Sequence, residues 1–168
     1  MLHTSLATET SPVPPASGSA DIAETVLEQA RERARAEGLP YAGGIAPSDA
    51  WTLVGDGRAV LVDVRTAEER KFVGQVPAGL HVAWATGTSM NRNPRFVKEL
   101  EAKVKKDALV VFLCRSGKRS ALAAEAAAKA GFANAFNILE GFEGDLDAEQ
   151  RRGGLGGWRF HGLPWVQD

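Results

Sequence analysis

Residues 108–120 read Ala108-Leu109-Val110-Val111-Phe112-Leu113-Cys114-Arg115-Ser116-Gly117-Lys118-Arg119-Ser120. An apolar run of strand length ends at a cysteine and a short polar loop turns the chain. An alanine-rich helix follows from about residue 118 to 130, stopped by Gly131. The order strand, tight loop, helix N-terminus places Cys114 beyond the carboxyl end of a strand, where α/β sheets bind their ligands. Loop amides and the positive end of the helix would face the sulfur. Arg115, Lys118 and Arg119 add three cations within five positions. Such surroundings favour thiolate over thiol, so the sequence predicts a nucleophilic Cys114 and a site for a small anion.

Reading outward, Ala59-Val60-Leu61-Val62-Asp63-Val64 is a second continuous apolar run, as expected of a parallel strand covered on both faces. Thr66 and Glu69 form a capping box for a short helix after it. Leu80 to Trp84 and Ala135 to Leu139 read as further strands. Between them, Asn93 and Pro94 read as the N-cap and first position of a helix, with Phe96, Val97, Leu100 and Val104 on its apolar side. Glu99 with Lys103, and Glu101 with Lys105, would pair on its wet side. Strands alternating with helices predict an α/β fold: a mainly parallel central sheet flanked by helices on both faces. Asp63 and Trp84 also fall at strand ends and are candidate pocket residues.

The flanks divide the chain. Residues 1–20, rich in Ser, Thr, Pro and Ala, read as a disordered arm. Residues 21–40 read as an N-terminal helix, opened by a capping box of Asp21 and Glu24 and closed by Gly38 and Pro40. Ile22, Val26, Leu27, Ala30 and Ala34 form its apolar stripe. Pro47 starts a short helix with Ala50, Trp51 and Val54 inward. Residues 41–168 form the main domain, including a C-terminal strap over 153–168. Its aromatics, Trp158, Phe160 and Trp165, together with Leu163, are too costly to leave in water.

Composition excludes several classes. The chain has 168 residues and a formal net charge of −1, so the molecule as a whole has no pull toward nucleic acid or an anionic membrane. No run approaches the roughly 20 apolar residues that span a bilayer, and the N-terminus lacks the pattern of a secretory signal. One cysteine excludes an internal disulfide framework, a CxxC pair and a multi-thiolate zinc site, and the three histidines, His3, His81 and His161, show no ligand spacing. No metal and no cofactor is expected. A lone thiol fits a reducing cytoplasm.

The combination of Leu61-Val62-Asp63-Val64-Arg65-Thr66-Ala67-Glu68-Glu69-Arg70, Gly74-Gln75-Val76-Pro77-Ala78-Gly79-Leu80-His81-Val82, the loop 114–120, Gly131-Phe132 and Asn137-Ile138-Leu139-Glu140-Gly141-Phe142 resembles a single-domain rhodanese, from about residue 43 onward. The resemblance implies a rhodanese-like domain and a sulfurtransferase of the thiosulfate:cyanide type. Its catalytic cysteine maps onto Cys114 and its loop onto Arg115, Ser116, Gly117, Lys118 and Arg119. The implied chemistry is a persulfide on Cys114, charged by a small anionic sulfur donor such as thiosulfate and discharged by cyanide or a thiol. The cationic loop tilts the donor toward thiosulfate over 3-mercaptopyruvate. With no second cysteine, the acceptor comes from outside. The alternative is a sulfur-relay module loaded by a partner protein such as a cysteine desulfurase. A phosphatase would need Cys-x5-Arg, but position 120 is Ser, and Leu113 replaces the usual histidine. Asp63 is expected to accept loop amides, Arg65 to pair with Glu69, His81 to serve structure, and Glu140 to bond backbone amides.

Overall fold

The computed structural model describes residues 17–168. In chain order the elements are α1 (Ser17–Glu37), β1 (Gly43–Ile45), α2 (Pro47–Gly55), β2 (Val60–Asp63), α3 (Ala67–Phe72), β3 (Leu80–His81), β4 (Ala85–Thr86), β5 (Asn91–Arg92), α4 (Phe96–Lys103), β6 (Val110–Leu113), α5 (Lys118–Lys129) and β7 (Ala135–Ile138). Five strands form one sheet in the order β1-β7-β6-β2-β3, with every neighbouring pair parallel. β4 and β5 make a separate antiparallel ribbon.

The apolar runs are continuous because both sheet faces are covered. Val111 and Leu113 of β6 point to one face, where Leu27 and Ala30 of α1, Leu53 of α2 and Trp158 pack. Val110 and Phe112 point to the other, against Phe96 and Leu100 of α4 and Ala123, Ala124 and Ala127 of α5. Strand alternation then puts Cys114 on the α5 face, at the open end of the central strand.

Several boundaries differ from expectation. The arm expected over 1–20 lies outside the described residues except for 17–20, which are helical. Asp21 is therefore not a cap. It sits inside α1, where its carbonyl accepts the Thr25 hydroxyl at 2.8 Å. Once a helix is nucleated, a further turn costs little. The buried stripe of α1 is Ala23, Leu27, Ala30 and Ala34, while Ile22 is 68% exposed. Small residues are needed there because a Cβ on Gly43 would stand 2.5 Å from the Ala30 carbonyl oxygen. In α2, Leu53 is buried with Pro47 and Ala50, while Trp51 and Val54 are only partly covered.

β3 stops at His81, yet Val82 N and Trp84 N still donate to Asp63 O and Val64 O at 3.1 and 2.9 Å, so the chain keeps following β2. Asn93 caps a turn just before α4, accepting Arg95 N at 3.0 Å. Neither expected pair on α4 forms: Asn93 reaches Glu99, Lys103 donates to the His81 carbonyl, and Lys106 pairs with Glu101.

The tail crosses the α1/α2 face. Trp158 is fully buried, meets Trp51 edge-on at 5.7 Å and donates to Pro164 O at 2.9 Å. Val166 and Gln75 exchange both backbone hydrogen bonds. Phe160 and Trp165, both expected to be covered, are 50% and 40% exposed; the Phe160 ring meets His161 edge-on at 5.3 Å and the Trp165 ring meets Phe142 edge-on at 6.3 Å. Among the described residues no helix is long and apolar enough to cross a membrane, and no cluster of His, Cys, Asp and Glu could hold a metal.

Candidate active site

Cys114 follows the last residue of β6, and two backbone bonds behind it hold the loop. Phe142 N donates to Cys114 O at 2.8 Å and Glu143 N to Arg115 O at 2.9 Å. The turn after β7 thus backs the loop after β6. Gly141 makes the close approach possible. Its φ is +68°, and a Cβ there would stand 2.4–2.5 Å from backbone atoms of Arg115 and Ser116. Gly117, at φ +101°, turns the loop into α5.

Cys114 is 1% exposed. Gly117 N donates to Sγ at 3.1 Å, and Ser120 Oγ lies at the same distance. Ser120 Oγ also stands 2.5 Å from Asn137 Oδ1, while Asn137 Nδ2 donates to Gly117 O at 3.1 Å. The ring of amides expected around Cys114 therefore supplies one direct donor to the sulfur, joined by a hydroxyl. Ala121 N is the first α5 amide with a helical acceptor, Gly117 O. The amides of Lys118, Arg119 and Ser120 are the orphan donors of the first turn.

The cations divide. Arg119 donates to both oxygens of Glu69, at 2.7 and 2.8 Å, and touches Met90 Sδ at 3.7 Å. Burial alone would raise the Glu69 carboxyl, but the bonds and charge of Arg119 outweigh it and hold the group below the usual carboxylate range. Burial likewise works against the Arg119 charge, and Glu69 more than restores it. Arg119 is thus committed to α3 and does not offer a free charge to an anion. Arg115 is half-buried with Nε lacking a partner, and Lys118 is exposed. Neither pairs with a carboxylate among the described residues. Ser116 is half-buried at the loop's tip.

The two candidate pocket residues go elsewhere. Asp63 is 1% exposed; as expected it accepts a loop amide, Arg65 N at 3.0 Å, and it also bonds the Arg65 guanidinium through both oxygens, with Arg70 beside it at 3.3 Å. A carboxylate so fully engaged holds the fold and does not line a pocket. Arg65 accordingly pairs with Asp63, not Glu69; its side chain also reaches Gly74 O and covers the Phe142 ring at 4.2 Å. Trp84 packs edge-on against Phe96 at 5.1 Å beneath the Arg92 guanidinium. It lines a groove with Arg92, Leu122, Glu125, Ala126 and Lys129 on the flank of α5, and packs against the same apolar cluster that holds Cys114. His81 Nε2 donates to Arg65 O at 2.7 Å. Glu140 accepts from Gly157 N and meets His161 at 3.0 Å.

Sequence reading missed Glu69 as the Arg119 partner, Ser120 as a neighbour of the sulfur, and Asn137. Only Asn137 carried a local signal, a polar side chain inside the apolar strand β7, where it is 5% exposed.

The family model described as a rhodanese-like domain matches residues 46–148. An uncharacterized protein, RP600, from Rickettsia prowazekii is 37% identical over 117 residues, covering 67% of this chain and 87% of the relative. The crystal structure of Rv0390 from M. tuberculosis superposes with a TM-score of 0.70 at 47% identity, covering 76% of this chain and 99% of that one. The polysulfide-sulfur transferase homodimer from Wolinella succinogenes, at 21% identity and a TM-score of 0.50, shares the fold over 90% of this chain and 91% of its own.

Proposed function

We propose, for a chain that belongs to the rhodanese-like family, a sulfurtransferase that carries sulfane sulfur on Cys114. The observation that supports it is the sulfur's position: at the end of the central strand, hydrogen-bonded by Gly117 N and Ser120, at the mouth of the first turn of α5. In the first step the Cys114 thiolate attacks the outer sulfur of thiosulfate. The donor S–S bond breaks, sulfite leaves with the bonding pair, and a persulfide forms. In the second step cyanide or a thiolate attacks the outer persulfide sulfur. Cys114 leaves as thiolate, and thiocyanate or a new persulfide departs. No oxidant is consumed, and the difficult transfer is split in two.

The orphan amides of Lys118, Arg119 and Ser120 are the donors suited to the negative outer sulfur, as an oxyanion hole suits oxygen. Arg115 and Lys118 draw the donor anion in, while Arg119 supports the loop through Glu69. A thiol that must stay reduced fits a cytoplasmic location.

The test is thiocyanate formation from thiosulfate and cyanide by the full chain and by Cys114→Ser. Turnover that vanishes in the variant supports the proposal. Equal turnover in both contradicts it. A wild type that accepts sulfur from a cysteine desulfurase but not from thiosulfate would move the assignment to a sulfur relay.

A further inference from the structure

Ser120 Oγ stands 3.1 Å from Cys114 Sγ and 2.5 Å from Asn137 Oδ1. A hydroxyl has one proton, so it can serve only one of these acceptors at a time. The Asn137 amide is not free to turn, because its Nδ2 is engaged by Gly117 O at 3.1 Å. All three side chains are buried, with Ser120 at 0%, Asn137 at 5% and Cys114 at 1% exposure, so no crowd of waters blurs the choice. We propose that Ser120 is a catalytic hydrogen-bond switch for Cys114, and that Asn137 is the positioning residue that sets it. The inference rests on the reading of Cys114 as the nucleophile.

The proton count gives two states. In the thiol, S–H donates to Ser120 Oγ and the Ser120 hydroxyl donates to Asn137 Oδ1. Ionisation sends the thiol proton to water. The Ser120 hydroxyl then turns about its C–O bond and donates to the sulfur, joining Gly117 N–H. The same donor waits for the sulfur whenever it becomes the leaving group of the second step. Asn137 holds the hydroxyl in place between turns and ties it to the loop through Gly117. Among charged side chains, Arg119 lies within electrostatic range of Cys114 and Asp63 but points its guanidinium at Glu69; Arg115 and Lys118 belong to the same loop. The substitutions below touch none of these.

The test is the rate of Cys114 alkylation by iodoacetamide from neutral to alkaline pH. A hydrogen bond to a charged group is worth about tenfold or more in an equilibrium. Ser120→Ala is therefore expected to be alkylated about tenfold more slowly than wild type near neutrality and to converge on it at alkaline pH. Ser120→Thr keeps the hydroxyl and restores the profile. Asn137→Asp, whose carboxylate holds the Ser120 proton, slows the reaction in the same sense. Equal rates for Ser120→Ala and wild type at every pH overturn the switch. So does a deficit that stays constant with pH, which would mark a merely loosened loop, or a failure of threonine to restore the profile. Absence of a persulfide in wild type with this contrast intact would instead count against sulfur transfer and leave the switch standing.

Discussion

Arg119 and Glu69 lie fifty positions apart in the chain and form a two-pronged ion pair, at 2.7 and 2.8 Å. The pair joins the first turn of α5 to α3, so the loop after Cys114 is braced from the side. It also removes one of the three loop cations from the anion's reach.

This pair gives stability a pH signature. The Glu69 carboxyl is held below its ordinary value in the folded protein. Its contribution is complete above the unfolded carboxylate value and is lost as pH falls through the lowered folded value. Glu69→Gln should cost about 2 kcal/mol near neutrality, or about 4–8 °C in Tm for a chain of this size. The gap from wild type should close in acid. Thermal unfolding over a pH series checks this, and a gap of constant size at all pH would contradict it.

The division of the cations predicts different kinetics. Arg115→Ala and Lys118→Ala should each raise KM for thiosulfate several-fold, more at low salt than at high, with Tm little changed. Arg119→Ala should lower Tm and affect KM less. Steady-state kinetics beside thermal melts separate the two, and an Arg119→Ala that raises KM at unchanged Tm would refute the bracing role.

Gly141 should be intolerant of a methyl group for reasons beyond its backbone. Gly57 has nearly the same φ, +70°, with nothing within 4 Å of its would-be Cβ. Gly57→Ala is expected to cost about 1 kcal/mol and leave activity alone. Gly141→Ala must also displace the backbone of Arg115 and Ser116, so it should lower kcat/KM at least about tenfold. Similar kinetics in the two variants would show that the clash is relieved elsewhere.

Asp63→Asn should act on stability alone. It leaves the buried Arg65 guanidinium, 0% exposed, short of its counter-charge. The expected loss is about 3–5 kcal/mol in urea unfolding. Unchanged KM and kcat in the folded protein would fit a structural Asp63; an altered KM for thiosulfate at unchanged stability would return it to the pocket.

What was legible follows from how local the signal is. β6, its loop and α5 could be read because an apolar run stops abruptly at Cys114 and a glycine with cations follows. The box of Thr66 and Glu69 was legible because its partners are three residues apart, and both of its hydrogen bonds are present. β1 was not, since Gly43-Gly44-Ile45 has poor strand formers, and β7 holds it in place from distant sequence. The stripe of α1 was legible at Leu27, Ala30 and Ala34, with Val26 partly covered; only Ile22 was misplaced, since Ala23 takes the buried position beside it. Arg65 was assigned Glu69 in place of Asp63, and the Arg119–Glu69 pair was missed, for one reason: a long guanidinium can reach several carboxylates, and only packing selects among them.

The central claim is that Cys114 carries a transferable sulfur. Intact-mass measurement after incubation with thiosulfate tests it most directly. The account predicts the mass of one added sulfur atom, absent in Cys114→Ser and removed by cyanide with release of thiocyanate. An unchanged mass, or a gain that cyanide does not reverse, as for an oxidised thiol, would contradict it.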